Sequence, residues 1–532
     1  MTVNRVGAAT AEMPSVAANR LIRMVRAAAL AAALAGCAVG PDFKRPVPPQ
    51  VDRYSADADP LSTASVDGQA QHFASAAKVL PDWWRLFDSP DLDSLVKTGL
   101  KNSPTVATAQ AILSQSEHNL RAGQGVFYPE VDLGFGFARQ QLSPVRQGVS
   151  GPPTVFSLYT LSAAVSYALD VFGGERRMVE GLAAQVDVQR ATAQATYLTL
   201  VGNIINTAIA GAAYRAEADA TQRLIALQRE QVAIVEAQAD AGLVPAANVV
   251  AVKSQLAANE AVLPTILQQQ TAAEDLLATL LGFVPAEAKF PKLALEDIRL
   301  PATLPVSLPS SLVRQRPDIL AAEANLHVAS AQVGVATAAL FPTLTLSANY
   351  GLSNPSLGDL NDPNGRFWGV GPGISFPLFQ GGSAWAQKKS AEAGYEAALA
   401  KYRQTVLSAF AQVADTLQAL AHDAQVAAAR RQSLELSIEQ RDLLAANHEA
   451  GIVDDLDWLV ARQQVETARI AMTDATAQRY QDSVALFVAL GGGWWNAPCQ
   501  DGIVPKVSCT GVQTGGPVNH DVGTAKQNEE QP

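Results

Sequence analysis

Four segments of the sequence alternate apolar with small or polar residues, which is the period-two pattern of a β-strand. The first runs from Val131 to Ala138, and the others cover residues 159–167, 344–350 and 368–376. Runs of about ten residues with one apolar face and aromatic side chains near the ends suit transmembrane β-strands. A soluble sheet packed on helices would show the same alternation. The pattern alone therefore leaves both interpretations open.

A second pattern predicts very long helices. From Glu175 to Ala241 there is no proline and little glycine, so a helix there would be about 100 Å long. Within residues 223–239 the apolar side chains cover about half of the circumference, which is wider than the stripe of an ordinary surface helix. Such an arc suits a helix in the wall of a bundle or tube, and a simple antiparallel coiled coil is the alternative. The uncharged stretch 191–214 contains amide side chains, so we interpret it as buried helix and not as a membrane span.

The sequence contains the same series of landmarks twice, about two hundred residues apart. The matching segments, in order, are 94–96 with 311–313, 128–131 with 341–344, 170–174 with 378–382, and 241–243 with 450–452. Each copy is predicted to form helix, strand, strand, long helix, turn and helix. We therefore predict a first structural repeat over residues 81–300 and a second over residues 301–495.

If these strands lie in a membrane, a single chain cannot complete the structure. In hydrocarbon an open sheet edge leaves unpaired backbone groups that cost several kcal/mol each, and a closed barrel generally needs at least about eight strands. Several chains would then share one β-barrel, and the long helices would continue as a shared tube. The predicted fold class is mainly α with a membrane β part, in an oligomer whose chain number this reasoning does not determine.

The start of the chain indicates export. Residues 20–26 supply three arginines, an apolar run covers residues 27–35, and Leu-Ala-Gly-Cys ends at Cys37. We predict a signal peptide over residues 1–36. Its ending resembles the bacterial lipoprotein signal, which implies cleavage before Cys37, acylation of that cysteine and, with Ala38 next, sorting to the outer membrane. An ordinary signal peptide with an incidental cysteine is the alternative.

Two further segments differ from the body in composition. Residues 37–80 are rich in proline, serine and aspartate, which predicts an extended, acylated tether. Residues 496–532 are rich in glycine, asparagine, glutamine and glutamate beyond Cys509 and are predicted to be largely disordered. Cys499 and Cys509 could close a small disulfide loop in an oxidising periplasm.

Composition and scattered functional groups exclude several classes of protein. Only 17% of the 532 residues are charged and the net charge is -11, whereas a nucleic-acid-binding surface needs a basic patch or stripe. The six histidines lack the paired spacing of a zinc site. The sequence shows no nucleophile–base pair and no phosphate-binding loop. We therefore expect no nucleic-acid partner, no metal, no cofactor and no catalytic residue.

Several short motifs in combination carry a family resemblance. They are Gly40–Phe43, Pro81–Phe87, Arg316–Ile319 with Ala321–Glu323, Phe341–Pro342, Phe376–Phe379 with Gly381–Gly382, and Leu490–Trp494. Together they resemble the TolC-type outer-membrane efflux proteins, in the NodT/OprM lipoprotein branch. The resemblance covers essentially residues 37–495 and implies a homotrimer with a twelve-stranded β-barrel in the outer membrane and a long periplasmic α-helical barrel.

The same resemblance implies a function and partners. The chain would be the lipid-anchored outer-membrane channel of a tripartite efflux system, a passive exit duct for drugs or other small toxic compounds. Its partners would be a periplasmic adaptor (membrane-fusion) protein and an inner-membrane pump, commonly of the RND class. One alternative is the exit duct of a type I protein-secretion system. Another, from a different class, is a periplasmic coiled-coil scaffold lipoprotein whose strands never enter a membrane.

By this resemblance the two helix turns would lie at the periplasmic tip, dock the adaptor and form the gate. The docking residues would be Gly242 and Leu243 in the first turn, and Gly451 and Ile452 in the second. Glycine at each turn supplies the permissive backbone needed to leave one helix and enter the next.

Three carboxylates follow the second turn and are the gate candidates: Asp454, Asp455 and Asp457. One interpretation is capping, because acidic residues at a helix start complement its dipole. The other is that at least Asp457 faces the axis, so that copies from several chains form an acidic ring favouring cations. The first turn has no such cluster, so we expect a gate that is asymmetric between the repeats.

Overall fold

A computed structural model describes residues 38–56, 59–66, 69–148 and 150–496, without the side chains of residues 146 and 147. The predicted signal peptide with Cys37 lies outside these residues, as does the C-terminal segment with Cys499 and Cys509.

Long helices and two small sheets make up the described chain. The helices are α1 (Pro90–Asn102), α2 (Pro104–Gln124), α3 (Gly174–Asp240), α4 (Ala246–Leu280), α5 (Pro309–Leu312), α6 (Pro317–Ala338), α7 (Ser383–Glu449) and α8 (Asp455–Ala489). The strands are β1 (His72–Ser75), β2 (Glu130–Leu142), β3 (Thr154–Leu169), β4 (Thr303–Val306), β5 (Thr343–Asn354) and β6 (Arg366–Ser375).

The two halves of the chain contain matching helices. Both α3 and α7 have 67 residues, and both α4 and α8 have 35. The helix predicted from Glu175 to Ala241 is confirmed, with each end displaced by one residue. It begins where the carboxylate of Asp170 accepts hydrogen bonds from the backbone N–H groups of Glu175 and Arg176, at 3.2 and 2.9 Å. A side chain thereby satisfies N–H groups that a helix start leaves unpaired.

One compact unit contains residues 38–50, 105–193 and 316–411. Its sheet is antiparallel with strand order β2-β3-β5-β6. Strands from the two halves meet at its centre, where β3 pairs with β5 through partners such as Val165 and Ala348. The four predicted strands are therefore confirmed, and all belong to one sheet.

The other compact unit contains residues 51–104, 194–315 and 412–496. Its core includes Trp83, Trp84, Phe87 and Phe487, all of them almost fully buried. The rings of Trp83 and Phe487 stack with centroids 4.9 Å apart. The Trp-Trp motif that contributes to the family resemblance is thus a packing element, and each unit takes residues from both halves of the chain.

The prediction that residues 37–80 form an extended tether is wrong for the segment around β1, and residues 38–45 also contact the body of the protein. β1 lies within the predicted tether and pairs in parallel with β4, with His72 opposite Thr303. The buried amide of Gln71 donates to the backbone oxygen of Pro301 at 3.3 Å and to the hydroxyl of Ser483 at 3.2 Å. Residues from His72 to about Val79 therefore pack against segments far away in sequence. A composition rich in proline and serine does not reveal such long-range pairing.

Among the described residues, no helix is both long and apolar enough to cross a membrane. The interpretation of residues 191–214 as buried helix agrees with this, since they lie inside α3 and most of their apolar side chains are buried.

Candidate functional site

The register of the antiparallel sheet places every predicted apolar set on one face. Directly opposite residues in such a sheet point to the same side. The pairs that carry this face are Leu133 with Ala163, Phe135 with Leu161, Val165 with Ala348, Tyr350 with Trp368, and Leu344 with Ile374. The opposite face carries mainly glycine, serine, threonine and asparagine, and Thr160 and Ser353 share a hydrogen bond across it at 2.9 Å.

This apolar face is exposed in the described chain. Leu133 is 78% exposed, Trp368 74% and Ile374 74%. Exposed apolar patches of this kind mark protein or membrane contacts, because they are costly to leave in water. The face has the alternation and the aromatic content of a lipid-facing sheet surface.

Both edges of the sheet are open within the described chain. β2 has 13 residues and β6 has 10, and each is an outer strand whose other side pairs with no described strand. Such edges present rows of N–H and C=O groups that seek a partner strand. The sheet is therefore incomplete as one chain presents it.

The first helix turn connects α3 to α4. Gly242 adopts the left-handed backbone with φ of +74°, and the N–H of Leu243 donates to the backbone oxygen of Gln238 at 2.8 Å. This pattern satisfies carbonyl groups at the helix end. Leu243 is 75% exposed, so an apolar side chain stands at the turn. Two ion pairs join α3 to α4 in this hairpin. They are Arg229–Glu260 at 2.8 Å and, nearer the turn, Lys253–Glu236.

The second turn connects α7 to α8 with the same backbone. Gly451 has φ of +69°, and the N–H of Ile452 donates to the oxygen of Asn447 at 2.9 Å. Ile452 is 74% exposed, like Leu243 in the first turn. The four predicted docking residues therefore occupy equivalent positions in two equivalent turns.

The three gate candidates have different environments. Asp454 caps α8, since its carboxylate accepts a hydrogen bond from the backbone N–H of Asp457 at 2.9 Å. Asp455 contacts the Nε2 atom of His448 at 2.5 Å. Asp457 contributes its backbone to the cap, and its side chain is exposed. Capping thus accounts for Asp454, and Asp457 remains the residue predicted to face an axis.

A side-chain cluster that the sequence analysis missed supports this turn. The ring of His448 stacks on Trp458 with centroids 5.0 Å apart, and the guanidinium of Arg462 lies 4.8 Å from the same tryptophan ring. Arg462 also reaches Glu230 of α3 at 3.4 Å. The four-residue spacing from Trp458 to Arg462 was the available signal, because residues four apart are neighbours on a helix.

Further contacts tie α8 to α3. Glu466 of α8 is 8% exposed and accepts from Arg223 of α3 at 2.9 Å and from Arg469 at 3.1 Å. The amide of Gln463 donates to the side chain of Gln231 at 3.0 Å. The two hairpins therefore contact each other through charged and amide groups.

In the unit that contains the four-stranded sheet, residues 38–45 lie against α3 and α6. The N–H of Val39 donates to the oxygen of Phe172 at 2.9 Å, and Arg177, which is almost fully buried, donates to Asp42 at 2.6 Å. Phe43 stacks on His327 with centroids 4.3 Å apart. The chain that follows the predicted lipidation site is thus held beside the junction of β3 and α3.

No group of three or more histidine, cysteine or acidic side chains suited to a metal ion occurs in the part of the chain that the structure describes.

Comparison with known proteins places this fold in a family. The model of the family described as "Outer membrane efflux protein" matches residues 95–283 and 308–492. The pyoverdine export outer membrane protein OpmQ of Pseudomonas putida is 31% identical over 431 residues, covering 79% of this chain and 90% of the relative. The outer membrane protein OprJ of Pseudomonas aeruginosa is 27% identical over 471 residues, covering 88% and 96%.

A solved structure agrees with the sequence relatives. The outer-membrane channel OprN superimposes with a TM-score of 0.75 and 27% identity, covering 86% of this chain and 100% of the other. The mainly helical fold with its exposed apolar sheet is therefore that of an outer-membrane channel. Since the family model covers more than half of the sequence, the chain belongs to the outer membrane efflux protein family and is the outer-membrane channel component of an efflux pump.

Proposed function

We propose that this channel works as a homotrimer, forming the passive outer-membrane exit duct of a tripartite system that expels drugs or other small toxic compounds. The observation that carries the proposal is the four-stranded sheet with an exposed apolar face and two open edges. Four strands are too few to close, whereas three chains supply twelve, which lies within the range of closed membrane barrels.

The polar face of the sheet supports a water-filled interior. If the apolar face contacts lipid, the face with Thr160, Ser353 and the strand glycines lines the lumen. Small and hydroxyl side chains there leave room for solutes and hydrogen-bond to water. Such a wall offers few specific contacts, so selection of the substrate falls mainly to the pump.

The proposed anchor is an acyl group on Cys37, with the helices extending into the periplasm. Support comes from the lipoprotein-like signal and from the seating of residues 38–45 on α3 and α6. Acylation at residue 37 would place the lipid beside the junction of β3 and α3. The anchor would act together with the lipid-facing sheet to hold the protein in the membrane.

The proposed partners are a periplasmic adaptor and an inner-membrane pump of the RND class. The exposed Leu243 and Ile452, each held out by a glycine turn, give the adaptor an apolar contact at equivalent positions of the two hairpins. No nucleic acid and no cofactor take part, and the duct carries out no reaction of its own.

The substrate class is proposed from the relatives. Besides OpmQ, two relatives from Pseudomonas putida, each 28% identical, are named for the efflux of antibiotics and of toluene. These are organic molecules of modest size and differing polarity, which suits a wide duct with a hydroxyl-lined wall.

Reconstitution into a planar bilayer tests the duct. Purified full-length oligomer should give stable ion conductance, and Leu133→Glu with Ile374→Glu should abolish insertion because charge on a lipid-facing strand is costly. The matched control Ser347→Glu, on the opposite face, should still insert. Absence of conductance from folded oligomer would rule out the duct, and co-purification with an ATP-driven exporter after crosslinking in cells would favour protein secretion instead.

A further inference from the structure

The four-stranded sheet joins the two halves of the chain at its centre and leaves one strand of each half at an edge. β3 pairs with β5 at the centre, and β2 and β6 form the edges. The hairpins β2–β3 and β5–β6 occupy matching places in the two halves, since each follows a helix of 21 or 22 residues and precedes one of 67. β6 therefore corresponds to β3, and β2 corresponds to β5. The two strands with open edges are the counterparts of the two strands that pair at the centre.

The register within each hairpin determines which residues correspond. The landmarks of the sequence equate Val131 of β2 with Leu344 of β5. Val131 pairs with Val165, and Leu344 pairs with Ile374. Val165 of β3 therefore corresponds to Ile374 of β6. Counting along the strands from these two equivalences gives the counterpart of every residue in the sheet.

We propose that β6 of one chain pairs with β2 of a second copy in the register that β3 and β5 use within one chain. This inference rests on the shared barrel of the proposed function and specifies the joint between its chains. The four strands alternate in direction, so β6 runs opposite to β2 and the joint is antiparallel, like the β3–β5 pair. Because Val165 pairs with Ala348, the corresponding joint places Ile374 opposite Phe135 of the partner subunit.

Both faces of the proposed joint match in chemistry. The first residue of each pair lies in β6 or just after it, and the second lies in β2 of the partner subunit. The apolar face receives Leu378 with Val131, Phe376 with Leu133, Ile374 with Phe135, and Pro372 with Phe137. The other face receives Ser375 with Gly134, Gly373 with Gly136, and Gly371 with Ala138. A slip of one residue would place each apolar side chain opposite a small residue of the other face. The β3–β5 pair then selects among the slips of two residues, which the faces alone allow.

The exposed residues beyond the two edges support the same register. Every residue of β2 is exposed, whereas most residues of the central strand β3 are partly buried. Where β3 meets β5, Phe172 stacks on Phe341 with centroids 4.8 Å apart. The corresponding segments are uncovered in one chain: Phe379, just after β6, is 91% exposed, and Tyr128, just before β2, is 72% exposed. The proposed joint brings these two segments of neighbouring chains together.

A proline in β6 limits the joint without preventing it. Pro372 lies within the strand, opposite Leu346 of β5, and has no N–H group to donate. Proline in a strand with an open edge removes one hydrogen bond of the ladder and leaves the others in place. β6 can therefore still accept a partner strand, with one donor fewer.

The proposed joint is heterologous, because it brings together two different edges. Each chain offers β6 to one neighbour and β2 to the other. A heterologous contact closes into a ring when the rotation between copies fits, and otherwise it continues as an open assembly. Repetition of one joint therefore gives a sheet that is continuous from chain to chain, with no edge left unpaired once the ring closes.

Cysteine crosslinking of the full-length oligomer tests the register, in a background with Cys499→Ser and Cys509→Ser. The double variant Ser375→Cys with Gly134→Cys places one cysteine on each edge. Directly opposite residues of an antiparallel pair have Cα atoms about 4.5–5.5 Å apart, which a disulfide can bridge. Mild oxidation should therefore link neighbouring chains, seen as covalent dimers and trimers on a denaturing gel without reductant. Gly371→Cys with Ala138→Cys tests the same register at a second position and should give the same products.

The matched controls shift the pairing by two residues in either direction and keep both cysteines on the same face. They are Ser375→Cys with Gly136→Cys, and Gly371→Cys with Gly136→Cys. A Cβ atom added at Gly136 or at Gly371 meets no atom within 4 Å. Diagonal positions lie about 7–8 Å apart, so the initial rate of linking should be at least about tenfold lower than for the opposite pairs. Ser166→Cys with Ser347→Cys, an opposite pair in the central joint, should form a link within one chain and gives the reference rate.

Three results would overturn the proposed joint. One is faster linking of a shifted pair than of both opposite pairs. Another is linking at the full rate in Ser375→Cys or Gly134→Cys alone, because like edges would then meet. The third is the absence of any link between chains from either opposite pair while the reference link forms.

The failure of the proposed function would look different. Links at the predicted register in products larger than three chains would support the joint and contradict the homotrimer. Links at the predicted register in an oligomer that never conducts would support the joint and contradict the duct.

Discussion

The two helical hairpins have the same helix lengths and turn geometry, and they differ in the side-chain contacts that join their helices. Each joins a 67-residue helix to a 35-residue helix through a glycine turn. The first is joined by the ion pairs Arg229–Glu260 and Lys253–Glu236. In the second, His448 contacts Asp455 at the turn, and Glu466 of α8 pairs with Arg223 of α3. The two hairpins thus have the same helix lengths and turn geometry, while the side chains between their helices differ.

The largest expected effect comes from breaking the tie between the hairpins. Glu466→Ala removes the buried partner of both Arg223 and Arg469, and α8 should lose about 2 kcal/mol of local stability against α3. Both arginines are partly exposed, so water limits the loss. Hydrogen exchange along α8 measures it. Glu260→Ala, at an exposed pair in the first hairpin, should cost less than about 1 kcal/mol, and an equal cost would contradict the comparison.

The next effect concerns the aromatic cluster that only the second turn contains among the described residues. Trp458→Ala removes the stacking on His448 and the contact with Arg462, which together should contribute about 1.5 kcal/mol. Protection at the start of α8 should fall accordingly. Val460→Ala, an exposed apolar truncation two residues away, is the control, and the cluster is unimportant if both variants behave alike.

A smaller effect separates the helix starts of the two hairpins. Asp454→Ala removes the cap of α8 and should cost about 1 kcal/mol. The equivalent position before α4 is Pro245, which makes no side-chain cap. Pro245→Ser should therefore gain a few tenths of a kcal/mol at the start of α4. Thermal unfolding with exchange at the two helix starts measures both, and a loss in the second variant would show that the proline is preferred there for another reason.

The smallest effect tests the acidic ring. Asp457→Asn leaves the cap intact, because the backbone N–H of that residue makes the cap bond. If Asp457 faces an axis, the ratio of cation to anion permeability should fall by about twofold in reconstituted channels. Asp359→Asn, in the loop before β6, gives the control for a change in net charge. An unchanged ratio would leave capping as the role of the cluster.

Much of the fold could be predicted because it follows from local periodicity. Val131 to Ala138 alternates with period two, and the partners of that strand confirm which face is apolar. The end of α3 at Asp240 could be predicted to within one residue, because proline is absent before it and Gly242 follows in the turn. Such signals lie within one turn or one strand of the residue concerned.

What could not be predicted depends on contacts between distant segments. The pairing of β1 with β4 joins residues more than two hundred positions apart, and neither strand is long enough to show a period. The contacts of Glu466 with Arg223 and of Gln463 with Gln231 depend on how α8 is rotated against α3. His448 could not be distinguished from other scattered histidines until Asp455 was placed against it across the turn.

The open edges of β2 and β6 have a consequence for the route by which the protein matures. A newly exported chain meets water with two long strands that can hydrogen-bond to any strand nearby, and with the apolar side chains of Leu133 and Trp368 uncovered. If three chains share one barrel as proposed, the rate of maturation should rise more steeply than linearly with chain concentration. Before assembly, a holding chaperone would protect the chain from aggregation. The expression level therefore affects both the rate of assembly and the risk of aggregation.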